Sequence, residues 1–188
     1  VYKRQATFYS ISNCQDGLSR VTLGNFLIKR VVFEIQEELP NIKNFGTLSP
    51  IPGFRDWFMN LDEKLIKNIL GNIPLDNISF LKSSSLKIGD TRILSNKNAI
   101  YKLVAHYLMN EKNQKQLPIN DVCRFHLGNG AIIDDIVINA NISEVGFNRS
   151  FGVMVNYLYE LKNIEKNHEE YINNKTIIVS NKVKKLIQ

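Results

Sequence analysis

The chain is short of cysteine, of long apolar runs and of concentrated charge, and each shortage closes a class of function. Cysteine occurs only at Cys14 and Cys123. Two such residues supply neither the disulfide framework of a small secreted domain nor the paired C-x-x-C knuckles of a structural zinc module, and they point to a reducing compartment. No apolar stretch approaches the roughly 18 residues of a membrane-spanning helix, and no basic, apolar and small-residue leader opens the chain. Lysine and arginine number 24 against 18 acidic residues, a formal charge of +6, but no block of like charges gathers it. A basic cluster with interleaved aromatics, the mark of a nucleic-acid surface, is missing. So are the dinucleotide fingerprint G-x-G-x-x-G and the hydrolase elbow G-x-S-x-G.

What is present fits one packed domain. The 188 residues are 44% hydrophobic, which excludes a disordered chain. Asn (23), Ile (23) and Lys (17) make up a third of the chain, a bias that an AT-rich coding sequence produces, so part of the positive balance is compositional. Val1 to Gln5, reading V-Y-K-R-Q, are expected to be an assembly scar. The domain proper is expected over residues 6–188, with further strands and a helical domain encoded upstream.

Periodicity supplies the elements. Residues 7–12 (T-F-Y-S-I-S) read as a strand and 13–20 as a loop. Residues 24–39 carry Phe26, Leu27, Ile28, Val31, Val32, Ile35 and Leu39 at helical spacing, with Pro40 as the stop. Residues 44–48 predict a short strand, which Pro50 and Pro52 should force the chain to leave. Residues 54–70 read as helical and 71–97 as mixed, with one or two poorly periodic helices. Residues 98–111 predict the clearest helix, on Ile100, Leu103, Val104, Tyr107 and Leu108. Residues 131–142, which alternate imperfectly, and 151–161 predict strands. Residues 163–171 are polar, and the tail from Ser180 predicts a short helix. Interleaved strands and helices give an α/β (α+β) class with a mixed central sheet flanked by helices.

Three strings can carry chemistry. Gln15, Gly17 and Gly24-Asn25-Phe26-Leu27-Ile28 lie between a strand and a helix. Free N–H groups and the positive dipole end make such a place fit for a phosphate, though an ordinary glycine-containing entry loop explains it as well. Thr47-Leu48-Ser49-Pro50-Ile51-Pro52-Gly53-Phe54 fixes a rigid backbone. Ser49 there either starts a turn or is held out as a polar group. It is no elbow nucleophile, because the residue after such a serine donates its N–H to the oxyanion and Pro50 has none. Hydrogen bonding to a substrate carboxylate or thioester oxygen suits it better. Arg124-Phe125-His126-Leu127-Gly128-Asn129-Gly130-Ala131 sets His126 between apolar residues before a glycine turn. It is either a satisfied structural histidine or the best general acid available, its ordinary pKa near 6.5 suiting proton transfer at neutral pH. His106 lies off the apolar stripe of its helix and reads as solvated, and His168 draws no role. Cys123-x-x-His126 has no second pair, so no metal site is read. Tyr157 and Tyr159 share one face of their strand, opposite Asn156 and Leu158.

The phosphate-loop string resembles the coenzyme A loop of the GCN5-related acyltransferase superfamily, and all the strings together resemble the malonyl-CoA decarboxylase family. The resemblance runs through F-Y-S-I-S-N-C-Q (8–15), L-G-N-F-L-I-K-R-V-V (23–32), T-L-S-P-I-P-G-F (47–54), R-F-H-L-G-N-G-A (124–131), M-V-N-Y-L-Y (154–159) and N-I-E-K-N-H-E (163–169). It implies an acyltransferase-like catalytic domain that converts malonyl-CoA to acetyl-CoA and carbon dioxide. Neither metal nor organic cofactor is implied, coenzyme A being part of the substrate. It implies Ser49 and His126 as the catalytic pair, with Tyr159 beside them, and Gln15, Gly17, Gly24 and Asn25 at the coenzyme A. Malonyl-CoA is the expected partner, with no nucleic acid or membrane, and a homo-oligomer is expected at full length. The implied location is bacterial cytoplasm, or the mitochondrion or peroxisome in a eukaryote. Two departures stand out: Arg20 where the family has a glycine, and Thr22 where some members carry a glutamate of the site. An acyl-CoA N-acyltransferase and a noncatalytic acyl-CoA-binding module are the rival readings. The transferase needs a base for an acceptor amine, which the sequence does not offer.

Overall fold

A computed structural model describes residues 4–8 and 24–187. The elements in chain order are β1 (Gln5–Phe8), α1 (Gly24–Glu38), β2 (Asn44–Pro50), α2 (Phe54–Met59), α3 (Glu63–Leu70), α4 (Asp76–Ser79) leading into a 3-10 turn (Phe80–Lys82), α5 (Thr91–Ser95), α6 (Lys97–Met109), α7 (Asp121–Gly128), β3 (Ile132–Val137), α8 (Glu144–Ser150), β4 (Met154–Tyr159), α9 (Ile164–Asn174) and α10 (Asn181–Ile187).

The strands form one mixed sheet in the order β1-β2-β4-β3. β1 runs parallel to β2, a pairing that requires a crossover, and α1 lies in that connection. β4 is antiparallel to both β2 and β3. The helices cover the sheet as the interleaved pattern predicts.

The boundaries differ from the sequence expectation for identifiable reasons. β2 continues through Pro50, opposite Met154. Proline is tolerated there because it ends the strand, and among the described residues β1 pairs with β2 only as far as Thr47. The stretch 54–70 is two helices, because Asp62 accepts the Leu65 N–H and caps a new one. The imperfect alternation of β3 is a bulge between Ile133 and Asp135. The polar stretch after residue 163 is a helix, α9. It buries only Ile164, Asn167 and Tyr171, too thin an apolar face to stand out in the sequence. α8, capped by Ser143 onto the Gly146 N–H, was likewise not foreseen.

One face of the sheet positions the site. On β2 the buried side chains Phe45, Thr47 and Ser49 alternate with Gly46 and Leu48, and on β4 Val155, Tyr157 and Tyr159 do the same. The register sets Phe45 opposite Tyr159, Thr47 opposite Tyr157 and Ser49 opposite Val155. The period of two therefore brings two hydroxyls of one strand beside two phenols of the next.

Candidate active site

α7 lies over this face. Its N-cap, Asn120, accepts the Cys123 N–H at 2.8 Å, and its last turn carries His126. The ring is 3% exposed and lies between the two strands' hydroxyls. Its Nε2 stands 2.9 Å from Ser49 Oγ, and its Nδ1 stands 2.8 Å from Tyr159 Oη. Ser49 in turn donates its hydroxyl proton to Thr47 Oγ1 at 2.9 Å. With Ser49 donating to Thr47, the tautomer that carries its proton on Nε2 completes the set: Nε2–H donates to Ser49, and the free pair on Nδ1 accepts from Tyr159. Four buried groups thus form one chain of donors: Tyr159 to His126, His126 to Ser49, Ser49 to Thr47.

The three residues the sequence reading named for chemistry, Ser49, His126 and Tyr159, are brought together. Two neighbours were missed. Thr47 was read only as part of the rigid string. Tyr157 was read only as a strand-face residue, yet its ring stacks on the His126 imidazole with centroids 4.4 Å apart and planes at 22°. Period-two spacing from Ser49 and from Tyr159 was the signal that could have found both. Gly24 and Asn25 lie in the first turn of α1. Gln15, Gly17, Arg20, Thr22 and Cys14 lie outside the described residues.

Burial governs the electrostatics. It pulls the His126 pKa down to about 3, so the free ring is neutral at physiological pH rather than poised near 6.5. It pushes the Tyr159 phenol up. Tyr157 is raised well above its ordinary value, first by burial and then by the nearby Cys123, to which it is hydrogen-bonded. Burial also pushes the Cys123 thiol up to about 12, so it is an inert packing residue beneath the site. Cys123 and His126 do not make half a metal site, since both ring nitrogens are engaged. Among the described residues no group of three or more metal-ligating side chains occurs.

The other histidines take structural places. His106 is half-buried rather than solvated, stacked 6.0 Å from Trp57 and 3.4 Å from Glu111. His168 Nδ1–H donates to the Gly128 carbonyl at 2.6 Å, and Asn167 donates to the Gly130 carbonyl at 3.2 Å. These bonds fix the turn that follows His126 against α9. Gly130 there has φ +80°, and a Cβ on it would lie 2.2 Å from the Ile164 carbonyl oxygen. Among the described residues no helix is long and apolar enough to cross a membrane.

Comparison with known proteins agrees over almost the whole chain. The family model for the malonyl-CoA decarboxylase C-terminal domain matches residues 2–188. Mouse mitochondrial malonyl-CoA decarboxylase is 36% identical over 200 residues, covering 97% of this chain and 40% of the relative. The greylag goose enzyme is 35% identical over 196 residues, 95% of this chain and 39% of its own. The crystal structure of malonyl-CoA decarboxylase from Rhodopseudomonas palustris superposes with a TM-score of 0.82 at 38% identity, over 98% of this chain and 42% of that one. The Cupriavidus metallidurans enzyme gives 0.80 at 37%, over 97% and 48%. The chain therefore spans about two fifths of the length of the curated relatives it matches.

Proposed function

The chain belongs to the family of malonyl-CoA decarboxylase C-terminal domains, and from that premise we propose that it carries the reaction centre that converts malonyl-CoA to acetyl-CoA and carbon dioxide. The observation that supports this most is the buried Ser49–His126 contact of 2.9 Å completed by Tyr159 on the far ring nitrogen.

The chemistry asks for three things, and the side chains offer them. The malonyl carboxylate must stand out of the thioester plane, so that the electron pair of the breaking C–C bond enters the carbonyl system as carbon dioxide leaves. Ser49 does this by turning its proton from Thr47 to the carboxylate while still accepting from His126. The resulting enolate needs electrostatic support and then a proton on carbon. His126 is the general acid. A carboxylate set beside the ring raises its proton affinity from the low value of the free site, so on substrate binding the ring takes up from solvent the one proton the reaction consumes. The face of Tyr157, 4.4 Å away, stabilises the imidazolium while it exists. In the imidazolium Nδ1–H donates to Tyr159 Oη, the proton on Nε2 passes to the carbanion carbon, and the ring is left neutral with its remaining proton on Nδ1. The coenzyme A pyrophosphate is read at Gln15, Gly17, Gly24 and Asn25, where binding energy remote from the reacting bond positions it.

Incubation of the full-length protein with malonyl-CoA, with and without an acceptor amine, tests this. Carbon dioxide and acetyl-CoA should form at a rate indifferent to the amine. Ser49→Ala should lower kcat, and His126→Asn should lower it by about 10²–10⁴, the usual contribution of general acid catalysis. Amine-dependent acyl transfer, or a folded His126→Asn protein at the parental rate, would overturn the reading.

A further inference from the structure

Ser49 and His126 sit on elements far apart in the chain, and their 2.9 Å contact needs something to hold it. Among the described residues two side-chain hydrogen bonds join the serine string to α7 and its cap, one at each end of the helix. The first is the Ser49–His126 bond itself. The second is from Asn120 Nδ2, which donates to the Pro52 carbonyl at 2.9 Å while its Oδ1 caps α7 on the Cys123 N–H at 2.8 Å. Asn120 is 2% exposed, so water does not readily take over either bond. Pro52 lies just past β2, before Gly53 at φ +80°, and its carbonyl also accepts from Tyr107 on α6 at 3.0 Å. The Tyr107 bond ties this turn to α6; the Asn120 bond ties it to the start of the histidine helix.

We propose that Asn120 is a positioning residue that sets the spacing between Ser49 and His126, a role that rests on the reading of that pair as the reaction centre. His126 lies six residues along α7 from the cap, about 9 Å at 1.5 Å per residue. With the cap end released from Pro52, the helix is held to the serine string only at the reacting end and pivots there. Asparagine alone meets the requirement at this reach. Aspartate caps a helix equally well but has no proton for Pro52, and serine caps but is too short for both partners.

The test uses the full-length protein with Asn120→Asp and Asn120→Ser, two replacements that preserve the cap. Asn120→Ser should melt within a few degrees of the parent, and Asn120→Asp, which sets a buried carboxylate oxygen against the Pro52 carbonyl, should melt lower while remaining folded. Both should lose about 10- to 100-fold in kcat, the scale of an ångström-sized misplacement, with KM moving less than about twofold. In proteins carrying ¹⁵N-labelled histidine, the His126 Nε2–H signal should shift or broaden in both variants while that of His168 stays. Tyr107→Phe, which keeps the Asn120–Pro52 bond but removes a phenol that also contacts Asn120, should lose less kcat than either Asn120 variant. A parental kcat in Asn120→Asp would overturn the proposal. So would a loss of activity matched by a collapse of Tm in both variants, which would make Asn120 a cap only, or an equal loss in Tyr107→Phe. If the parent does not decarboxylate malonyl-CoA, the functional reading fails. The ring signal then judges the clamp alone, and no change in Asn120→Asp overturns it.

Discussion

Moving the protein from pH 7.5 to pH 5 should remove about 2 kcal/mol of stability that traces to one side chain. In the folded state burial holds the His126 imidazole at about 3, whereas in the unfolded chain it titrates near 6.5. Above pH 6.5 both states carry a neutral ring and the group adds no pH dependence. Below it the unfolded chain binds a proton that the folded one refuses, so stability falls with pH by about 1.36 kcal/mol per unit until the folded value is reached. The 1.5 units between 6.5 and 5 give about 2 kcal/mol. Asp134 works in the other direction. Burial, and then Asp135, raise its pKa, so its folded carboxyl gains the proton sooner and it stabilises on acidification. The quantity to measure is therefore the difference between the parent and His126→Asn, each unfolded in urea at a series of pH values. The packing cost of the substitution is common to every pH and cancels in the slope. The gap between the two proteins should narrow by about 2 kcal/mol from pH 7.5 to 5. Parallel curves would refute the argument that a neutral, buried ring sits at this position.

Tyr159→Phe removes the donor to His126 Nδ1 and leaves a buried ring nitrogen unpaired. The cost of about 1–3 kcal/mol should appear as a roughly 5- to 150-fold lower kcat in acetyl-CoA release, and an unchanged kcat would take Tyr159 out of the site. Gly130→Ala places a Cβ against the Ile164 carbonyl in a left-handed backbone and should lower Tm by several degrees, while Gly128→Ala, whose Cβ meets only the Tyr171 ring at 3.9 Å, should be tolerated; equal melting of the two would contradict the close approach. Gly24→Val at the start of α1 should weaken coenzyme A by about 1–3 kcal/mol in calorimetric titration of the full-length protein, and an unaltered affinity would move the pyrophosphate elsewhere.

The long, strongly periodic segments were legible in the sequence. α1 and α6 lie where spacing predicted them: α6 buries a wide stripe, and α1 buries Ile28 and Val32 among its described side chains. α9 was not legible, since its anchoring comes from polar side chains such as Asn167 and His168 that bond to another segment's carbonyls, a pattern without a period. The site was half legible. Ser49 and His126 stood out because proline and glycine fix the backbone around them, but the neutral state of the imidazole did not. Residue type gives a pKa near 6.5; only the enclosure by β2, β4 and α7 brings it to about 3. Asn120 gave no signal, since a cap before a helix looks the same whether or not its second arm reaches another loop.

The direction in which the four buried groups donate separates this serine from a superficially similar one. A hydroxyl 2.9 Å from an imidazole satisfies the distance criterion for an activated nucleophile. Activation needs the proton to point from oxygen to ring, whereas the Ser49 hydroxyl here donates to Thr47. An organophosphorus fluoride, which labels serine hydrolases because the ring strips the alcohol as it attacks, meets in Ser49 an alcohol of ordinary reactivity. Equal separation is therefore compatible with two chemistries, and the direction in which Ser49 donates distinguishes them.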